Sequence, residues 1–213
     1  MAADVSKADR LDALAQEARE CRDCALAETR LNVVFGEGNP EAPLVFVGEG
    51  PGAQEDATGR PFVGRAGKLL DECLAECRLY RRHVYICNVV KCRACIVEGD
   101  RAQNRAPRPA EIAACARWLD QQLTVIAPLV IVCLGAPSAN ALIHPGFRML
   151  SERGKWFDTC RYATHVTAAL HPAYILRQSG QAFDEARRSL VNDIEAARRK
   201  VIEARKAPRA TLF

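Results

Sequence analysis

Short apolar runs alternate with longer helix-like segments along this chain. Four runs rich in Val and Ile, each running into Gly, Asn or His, have the length of buried strands. The predicted strands are Leu44–Gly48, His83–Val89, Leu129–Leu134 and Thr164–Leu170. Other segments place apolar residues three and four positions apart, as the buried face of a helix requires. The predicted helices are Lys7–Arg19, Gly64–Arg78, Pro109–Ile126, Ala136–Ile143 and Asp184–Lys206.

This alternation of strands and helices predicts an α/β fold, a three-layer α/β/α architecture in which helices cover both faces of a parallel sheet. A chain of 213 residues with 49% hydrophobic residues can bury such a core, and we expect one domain over residues 1–213. Residues 93–109 interrupt the pattern. With two prolines and the sequence Glu98-Gly99-Asp100, they are predicted to form a long loop.

Two features of the chain bear on where the protein resides. The first ten residues contain four charged side chains and no apolar run, so they do not form a signal peptide. The longest apolar stretch, Thr124–Ala136, is too short to span a bilayer and is interrupted by Pro128. We therefore expect a cytoplasmic protein that does not enter a membrane.

The formal net charge of +4 is concentrated near the C-terminus. Residues 185–209 hold eight Lys or Arg against four Asp or Glu, whereas the rest of the chain has 22 of each kind. Such a segment is either the solvated face of a helix or a contact for nucleic acid. Charge by itself does not identify DNA as the partner.

Unusual residues follow the carboxyl ends of the predicted strands. The first strand runs into Gly48-Glu49-Gly50-Pro51-Gly52, the second into Asn88, the third into Gly135 and the fourth into His171-Pro172. In an open α/β sheet this edge forms the ligand-binding crevice, and glycines let a ligand approach the backbone closely. Each residue alone could be an ordinary turn or cap. Their joint position predicts a binding pocket.

Longer motifs identify the kind of pocket. The string GEGPGAQEDATGRPFVGRAGKLLDE at 48–72 is followed by NVVKC at 88–92, NRAP at 104–107, EIAAC at 111–115 and HPAYILR at 171–177. Several independent motifs in this order closely resemble the family 4 uracil-DNA glycosylases, which carry an iron–sulfur cluster. The match runs from about Cys21 to Arg177. It implies a four-stranded parallel sheet and an enzyme of base excision repair, which hydrolyses the N-glycosidic bond of a flipped deoxyuridine in DNA and releases uracil.

The resemblance also implies which residues hold the base. Phe62 stacks on the flipped uracil, and the Asn88 amide pairs with its N3–H and O4, which need one acceptor and one donor. Plain core packing is the alternative for Phe62. Glu55 occupies the position that fills the space of a thymine methyl, although it also suits an ordinary acid at a helix N-terminus. The remaining residues around the base are Gly50, Pro51 and Gly52.

Breaking the glycosidic bond leaves positive charge on the sugar and negative charge on the uracil. By the resemblance, His171 donates a hydrogen bond to the uracil O2 as charge builds there. Glu49 either orients the attacking water or stabilises the sugar cation. Better-known uracil glycosylases have an Asp where this chain has Gly50, so a dedicated general base is missing next to Glu49.

The segment after His171 is the candidate DNA contact. In the family, the residues corresponding to Tyr174-Ile175-Leu176-Arg177 enter the minor groove and fill the space that the uracil leaves. Leu176 is the candidate wedge and Arg177 the candidate phosphate contact, with Tyr174 beside them. A helix start with an ordinary buried leucine is the alternative.

Ten cysteines in a cytoplasmic chain predict metal ligands and core residues, because the cytosol keeps thiols reduced. By spacing, the pairs Cys21-x2-Cys24 and Cys92-x2-Cys95 fit a four-cysteine zinc site. The resemblance implies instead that Cys115 is the fourth ligand, that Cys95 is spare and that the group is a [4Fe–4S] cluster. Its ligands are then Cys21, Cys24, Cys92 and Cys115. The predicted core cysteines are Cys73, Cys77, Cys87, Cys133 and Cys160.

An insertion at 94–103 is the main departure from the family. A related branch of the superfamily has a long loop here, with a His that becomes covalently joined to DNA. This chain has Asn104 near that position, which predicts turnover on uracil-containing DNA without a trapped adduct. Two other functions stay open, a catalytically silent nucleic-acid-binding module and a zinc-binding regulatory domain. Chemistry on a single base needs one chain, so we expect a monomer.

Overall fold

The computed structural model describes residues 5–99, 101–158 and 160–206. All five predicted helices are present, and two of them have the predicted bounds. Four further short helices and a 3₁₀ turn at Arg81–His83 were not predicted. The helices are α1 (Lys7–Arg19), α2 (Leu26–Thr29), α3 (Ala53–Thr58), α4 (Arg65–Glu76), α5 (Pro109–Ile126), α6 (Ala136–Leu142), α7 (Met149–Glu152), α8 (Pro172–Ile175) and α9 (Gly180–Lys206).

The start of α5 illustrates how the sequence sets a helix boundary. Pro109 occupies the first turn, where its missing N–H costs no hydrogen bond. The Glu111 side chain accepts from the Arg108 N–H at 2.7 Å. The helix therefore begins at Pro109, as predicted.

The main sheet has five strands in the order β1-β3-β2-β6-β7. Strands β2, β3, β6 and β7 are parallel, as predicted, with Val47 opposite Cys87 on one side and Cys133 on the other. The prediction of four strands is wrong by one, because β1 adds an antiparallel edge against β3. The strands are β1 (Glu37–Gly38), β2 (Leu44–Gly48), β3 (Tyr85–Asn88), β4 (Cys95–Glu98), β5 (Arg101–Asn104), β6 (Val130–Leu134) and β7 (His165–Ala169).

Strand β1 is too short to show a periodic pattern, and its position depends on close backbone packing. A Cβ atom on Gly38 would lie 2.2 Å from the Val84 carbonyl oxygen, so only glycine lets this strand approach so closely. That contact is between residues 46 positions apart in the chain. It could not be predicted from the local sequence.

The predicted loop at 93–109 is also wrong in part, since β4 and β5 form a separate antiparallel hairpin in which Val97 pairs with Ala102. Glu98 and Gly99 lie at its turn, which explains the turn-like composition. Ile96 and Val97 are about half exposed, at 51% and 53%. Because the hairpin has no alternation of buried and exposed residues, periodicity did not reveal its strands. Asp100, within the predicted loop, lies outside the described residues.

The sheet separates two apolar layers, as the three-layer prediction requires. Successive residues of a strand point to opposite faces. Val45 and Val47 pack with residues of α1 and α5, whereas Leu44 and Phe46 pack with residues of α4 and α9. Both faces of β2 are fully buried, which accounts for its continuous apolar sequence.

Helix α9 buries Leu190 and Ile194 against the sheet and presents many of its basic side chains to acidic ones. Arg187 pairs with Glu76, Arg198 with Glu195 and Lys200 with Glu203, each at 2.7 Å. These pairs favour a solvated, self-compensated face for the described part of the basic segment. Its last residues, 207–209, lie outside the described residues, as does Asp4 near the start. In the described ranges, no helix has both the length and the apolar character needed to cross a membrane.

Candidate active site

A pocket of about 370 Å³ lies at the carboxyl ends of the parallel strands, where the strand-end motifs predicted it. The pocket contains eight of the predicted site residues: Glu49, Gly50, Pro51, Gly52, Glu55, Phe62, Asn88 and His171. These residues come from four separate parts of the sequence. The fold therefore assembles them as a group.

Asn88 ends β3 with its side chain in the pocket wall. It is 1% exposed, and its Oδ1 atom is buried with no hydrogen-bond partner among the residues described. An unpaired buried acceptor costs about 1–3 kcal/mol, so such groups in a pocket are commonly ligand contacts. Gly48 leaves room for it, since a Cβ atom there would be 2.4 Å from Asn88 Oδ1 and 2.6 Å from Phe62 Cζ.

Phe62 lies beside Asn88, and its ring centroid is 5.8 Å from that of His171, at an angle of 32°. Its backbone has a φ of 53°, in the left-handed region that non-glycine residues rarely adopt. The side chain is 6% exposed, and it packs with the apolar cluster that includes Leu69 and Leu70. Both interpretations of this ring therefore describe part of its environment: it is packed against the core and it lines the pocket.

Glu55 connects the two loops that form the pocket. Its Oε1 accepts from the Val63 and Gly64 N–H groups at 2.9 and 2.8 Å, and its Oε2 accepts from the Gly52 N–H at 3.1 Å. The carboxylate is thus an acid at the start of α3, and it also joins the loop before this helix to the loop after it. Three charge-assisted hydrogen bonds fix its position at the pocket wall.

His171 precedes α8, and its Nδ1 accepts the Ala173 N–H at 3.0 Å. A neutral imidazole that accepts at Nδ1 carries its hydrogen on Nε2. Burial, with a smaller contribution from the Arg177 guanidinium, lowers the pKa of His171 to about 4. At neutral pH the side chain is therefore an uncharged donor at the pocket wall.

We expect nitrogen-15 NMR spectra to show His171 neutral, with the hydrogen on Nε2, from pH 8 down to about pH 5. The pKa of a base that is lowered to about 4 leaves the group unprotonated throughout this range. His144 serves as the internal comparison, because hydrogen bonds to Pro145 and Glu152 raise its pKa. A His171 signal that titrates near pH 6.5 would contradict the assignment.

Glu49 follows β2, and its backbone carbonyl accepts from the Val90 N–H at 3.1 Å. Burial raises the pKa of its carboxyl group, which lines the pocket. The neighbouring Gly50 has no room for a larger side chain as the backbone stands, because a Cβ atom there would be 2.7 Å from Val90 Cγ2. Position 50 therefore cannot hold a second carboxylate as the backbone stands, and Glu49 is the acidic residue of this turn.

The predicted DNA-contacting segment forms the short helix α8 and its end. Tyr174 is 42% exposed, and Arg177 is exposed with its guanidinium 6.0 Å from the Tyr174 ring centroid. Leu176 is half-buried and packs against the core, whereas Ile175 is fully buried. Leu176 is thus in part an ordinary buried leucine, which was the alternative to its role as a wedge.

The four predicted cluster ligands line one small cavity beneath the pocket region: Cys21, Cys24, Cys92 and Cys115. The Arg30 guanidinium donates to Cys92 Sγ at 3.3 Å, and the Lys91 N–H donates to Cys115 Sγ at 3.2 Å. Trp118 lies in the same wall, and its buried Nε1 finds no acceptor within the described part of the chain.

Cys95, the fourth cysteine of the alternative zinc pairing, does not line this cavity. Its thiol lies 3.8 Å from Thr29 Oγ1, at the start of the hairpin. Across residues 5–99, 101–158 and 160–206, no three His, Cys, Asp or Glu side chains converge on a point that would hold a single metal ion. The five predicted core cysteines are all buried.

Lys91 is a residue that the sequence interpretation did not single out. It is 1% exposed, and its ammonium donates to the Asn88 carbonyl at 2.9 Å and to Gln122 Oε1 at 2.6 Å. Burial lowers its pKa. Lys91 therefore joins the wall of the pocket to the wall of the cysteine cavity. Its place in the NVVKC motif was the available signal.

The pocket lining also includes the first residue of the insertion and residues that directly follow it. Ala94, Asn104, Arg105 and Pro107 line it, and Arg105 pairs with the buried Glu111 at 2.6 Å. Asn104 Oδ1 accepts from Arg93 Nε at 2.7 Å, so the last side chain of the hairpin is tied to the segment that precedes it. The motif NRAP at 104–107 contained the signal for these positions.

The fold has three layers, and the carboxyl edge of its sheet holds an aromatic ring, an unpaired amide oxygen and a neutral imidazole. Together these groups define a class of α/β proteins that bind a flat, hydrogen-bonding ligand. The model of the Uracil DNA glycosylase superfamily matches residues 35–195. The chain belongs to this superfamily.

Named relatives have high similarity over most of the chain. A Type-4 uracil-DNA glycosylase of Thermotoga maritima is 43% identical over 189 residues, which is 88% of this chain and 93% of that protein. A Type-4 uracil-DNA glycosylase of Archaeoglobus fulgidus is 44% identical over 78% of this chain and 83% of its own length. A Type-5 uracil-DNA glycosylase of Thermus thermophilus is 35% identical over 54% of this chain and 56% of its length.

Proposed function

We propose that this chain is a uracil-DNA glycosylase that acts as a monomer on DNA and releases uracil to leave an abasic site. The observation that carries the proposal is the buried, unpaired Oδ1 of Asn88 beside the Phe62 ring in the strand-end pocket. The Type-4 relatives, with about 40% identity over most of this chain, support the same activity.

The pocket matches uracil group by group. Asn88 Oδ1 accepts the N3–H of the base, and the amide nitrogen donates to O4. Phe62 supplies a face for stacking. Cytosine presents an acceptor at N3 and a donor at position 4, so the same amide orientation rejects it. Glu55, fixed by three backbone N–H groups, closes the wall against which a thymine methyl would press.

His171 and Glu49 act on the two charges that form as the bond breaks. The C1′–N1 bond of the nucleotide breaks, and its electron pair stays with the uracil. A water oxygen bonds to C1′ and loses a proton to the solvent, and the uracil anion takes up one proton in return. His171 donates from Nε2 to the uracil O2, where negative charge collects. Glu49 lines the same pocket, and we assign its carboxylate to the sugar, where it orients the water or opposes the positive charge.

Tyr174, Leu176 and Arg177 hold the DNA open around the flipped nucleotide. Arg177 is exposed and free to contact a phosphate, and the exposed face of Tyr174 lies next to it. Leu176 enters the gap that the base leaves, which offsets part of the cost of unstacking.

The cysteine cavity suits a [4Fe–4S] cluster held by Cys21, Cys24, Cys92 and Cys115. Each thiolate of such a cluster binds a different iron, so the sulfurs surround a volume and do not converge on one point. The donor set consists of four thiols, and the Trp118 indole N–H beside them has no partner in the described ranges. When bound, the cluster would tie the N-terminal segment and the segment after β3 to α5.

An oligonucleotide cleavage assay tests the proposal. The protein is incubated with end-labelled DNA containing one uracil, and abasic sites are then cleaved with alkali. We expect strand breaks at the uracil. In Asn88→Ala we expect kcat/KM to fall by at least about 5- to 150-fold, because that is the range for one buried hydrogen bond and this side chain makes two. The matched control is Asn192→Ala on the exposed face of α9.

The same samples separate turnover from trapping. On a denaturing gel we expect free DNA after release of uracil, because this chain has Asn104 near the position of the His that the related branch joins to DNA. A stable protein–DNA band would overturn turnover. Binding of uracil-containing DNA with no alkali-sensitive site would favour the silent binding module.

A further inference from the structure

The position of the Phe62 ring depends on an unusual backbone conformation. Phe62 is one of three non-glycine residues in the described chain with positive φ, at 53°. Gly67 packs directly under it: a Cβ atom there would lie 1.8 Å from the Phe62 carbonyl oxygen. Backbone held in this region reverts to ordinary values unless its surroundings fix it. Hydrogen bonds from another part of the chain are therefore needed to hold the Pro61 and Phe62 carbonyls in place.

Arg81 makes that contact. Its Nη1 donates to the Pro61 carbonyl at 2.9 Å, and its Nη2 donates to the Phe62 carbonyl. Its Nε donates to Asp71 at 2.9 Å. The rigid, planar fork of a guanidinium donates to two adjacent carbonyls and a carboxylate in one fixed geometry, whereas an ammonium is a compact charge on a flexible stem. Arg81 is separated from Phe62 by 19 positions in the chain.

The guanidinium is itself fixed from two directions. Asp71 belongs to α4, and Glu37, 3.6 Å from Arg81 Nη1, belongs to the edge strand β1. The Arg81 side chain is 20% exposed, so this is not an ordinary surface ion pair. Both partners lie outside the ligand pocket. Through these contacts, the positions of α4 and β1 determine the position of the Phe62 backbone.

We infer that Arg81 is a positioning residue for uracil excision: it sets the plane of the Phe62 ring in the pocket without touching the base. The inference rests on the proposed stacking role of Phe62. It also gives strand β1 a role, because this strand brings Glu37 to the Arg81 guanidinium. A misplaced stacking ring leaves the flipped base poorly oriented for bond cleavage, and small displacements of this kind lower rates strongly.

A double-mutant cycle tests Arg81 against the residue through which it acts. We expect Arg81→Met to lower kcat/KM for uracil-containing DNA about 10- to 100-fold in the wild-type background. In the Phe62→Ala background the same change is expected to cause no further loss, because the ring it positions is gone. Arg81→Lys is expected to lose less activity than Arg81→Met, since it restores one donor. Melting temperature and circular dichroism are recorded for each variant.

The matched control is Arg60→Met. Arg60 pairs with the same Glu37 at 2.7 Å but makes no hydrogen bond to the Phe62 carbonyl, so we expect unchanged kcat/KM. Equal losses from Arg81→Met in both backgrounds, or no loss in the wild-type background, would overturn the inference. If Arg81→Met does not fold, Arg81→Lys is used in the same cycle, with the same criteria. If Phe62→Ala alone has no effect, the stacking role fails, and the inference with it, while uracil release by the wild type still stands as a separate result.

Discussion

Replacing His171 by leucine is expected to lower kcat for uracil release by about 10²- to 10³-fold, with little change in KM. One well-placed hydrogen-bond donor to a developing negative charge contributes about 3–4 kcal/mol to the transition state and much less to the bound substrate. The Ala173 N–H holds the His171 ring at Nδ1 and so directs the donor role to Nε2. Single-turnover kinetics on a uracil-containing oligonucleotide measure the effect on the chemical step directly.

The glutamine variant distinguishes a hydrogen-bond role from a packing role. Gln carries an uncharged N–H donor at about the reach of Nε2, so His171→Gln is expected to retain more activity than His171→Leu. His144→Leu is the matched control, because His144 lies outside the pocket and pairs with Glu152. Equal losses in the leucine and glutamine variants would show that the donor is not what His171 contributes. Close packing would then be the contribution of His171. It lies against Gly135, where a Cβ atom would be 3.1 Å from His171 Cβ.

Replacing Cys115 by serine is expected to remove most of the iron and of the brown absorbance near ~400 nm from the purified protein. A [4Fe–4S] cluster needs four thiolates, and its binding energy contributes to folding. Because the proposed cluster would join α5 to the N-terminal segment, we also expect the melting temperature to fall by several degrees. Iron and sulfide analysis, absorbance and thermal unfolding measure these effects, with about four irons per chain expected for the wild type.

Cys95→Ser is the matched control for that experiment, since Cys95 is a buried cysteine that does not line the cavity. We expect it to keep its iron and its colour. The opposite pattern, with loss in Cys95→Ser and retention in Cys115→Ser, would overturn the assignment. Colourless wild-type protein with one zinc per chain would support the zinc-site interpretation.

Much of the fold was predictable because its signals are local. Strand β2 and helices α1 and α5 have the bounds that periodicity and the helix-start residues predicted. Where four such strands alternate with helices, the parallel sheet follows, and with it the edge at which Asn88 and His171 meet. The prediction of one domain over residues 1–213 stays a prediction.

The errors have a common cause. Strand β1 exists because Gly38 lets it pack against Val84, and the β4–β5 hairpin is held by pairing of its own backbone, with exposed apolar side chains at Ile96 and Val97. Neither element has a buried face that recurs along the sequence. A method based on the alternation of apolar and polar residues cannot detect strands of this kind.

The sequence by itself determined the parallel strands, the longer helices, the strand-end motifs and the set of candidate ligands, because these depend on residue types at short spacing. Only the tertiary structure decided which cysteines share a cavity, which nitrogen of His171 carries the hydrogen and that Arg81 holds Phe62 in a left-handed backbone conformation. Those properties depend on contacts between residues far apart in the chain, and on burial, which exists only once the layers have packed.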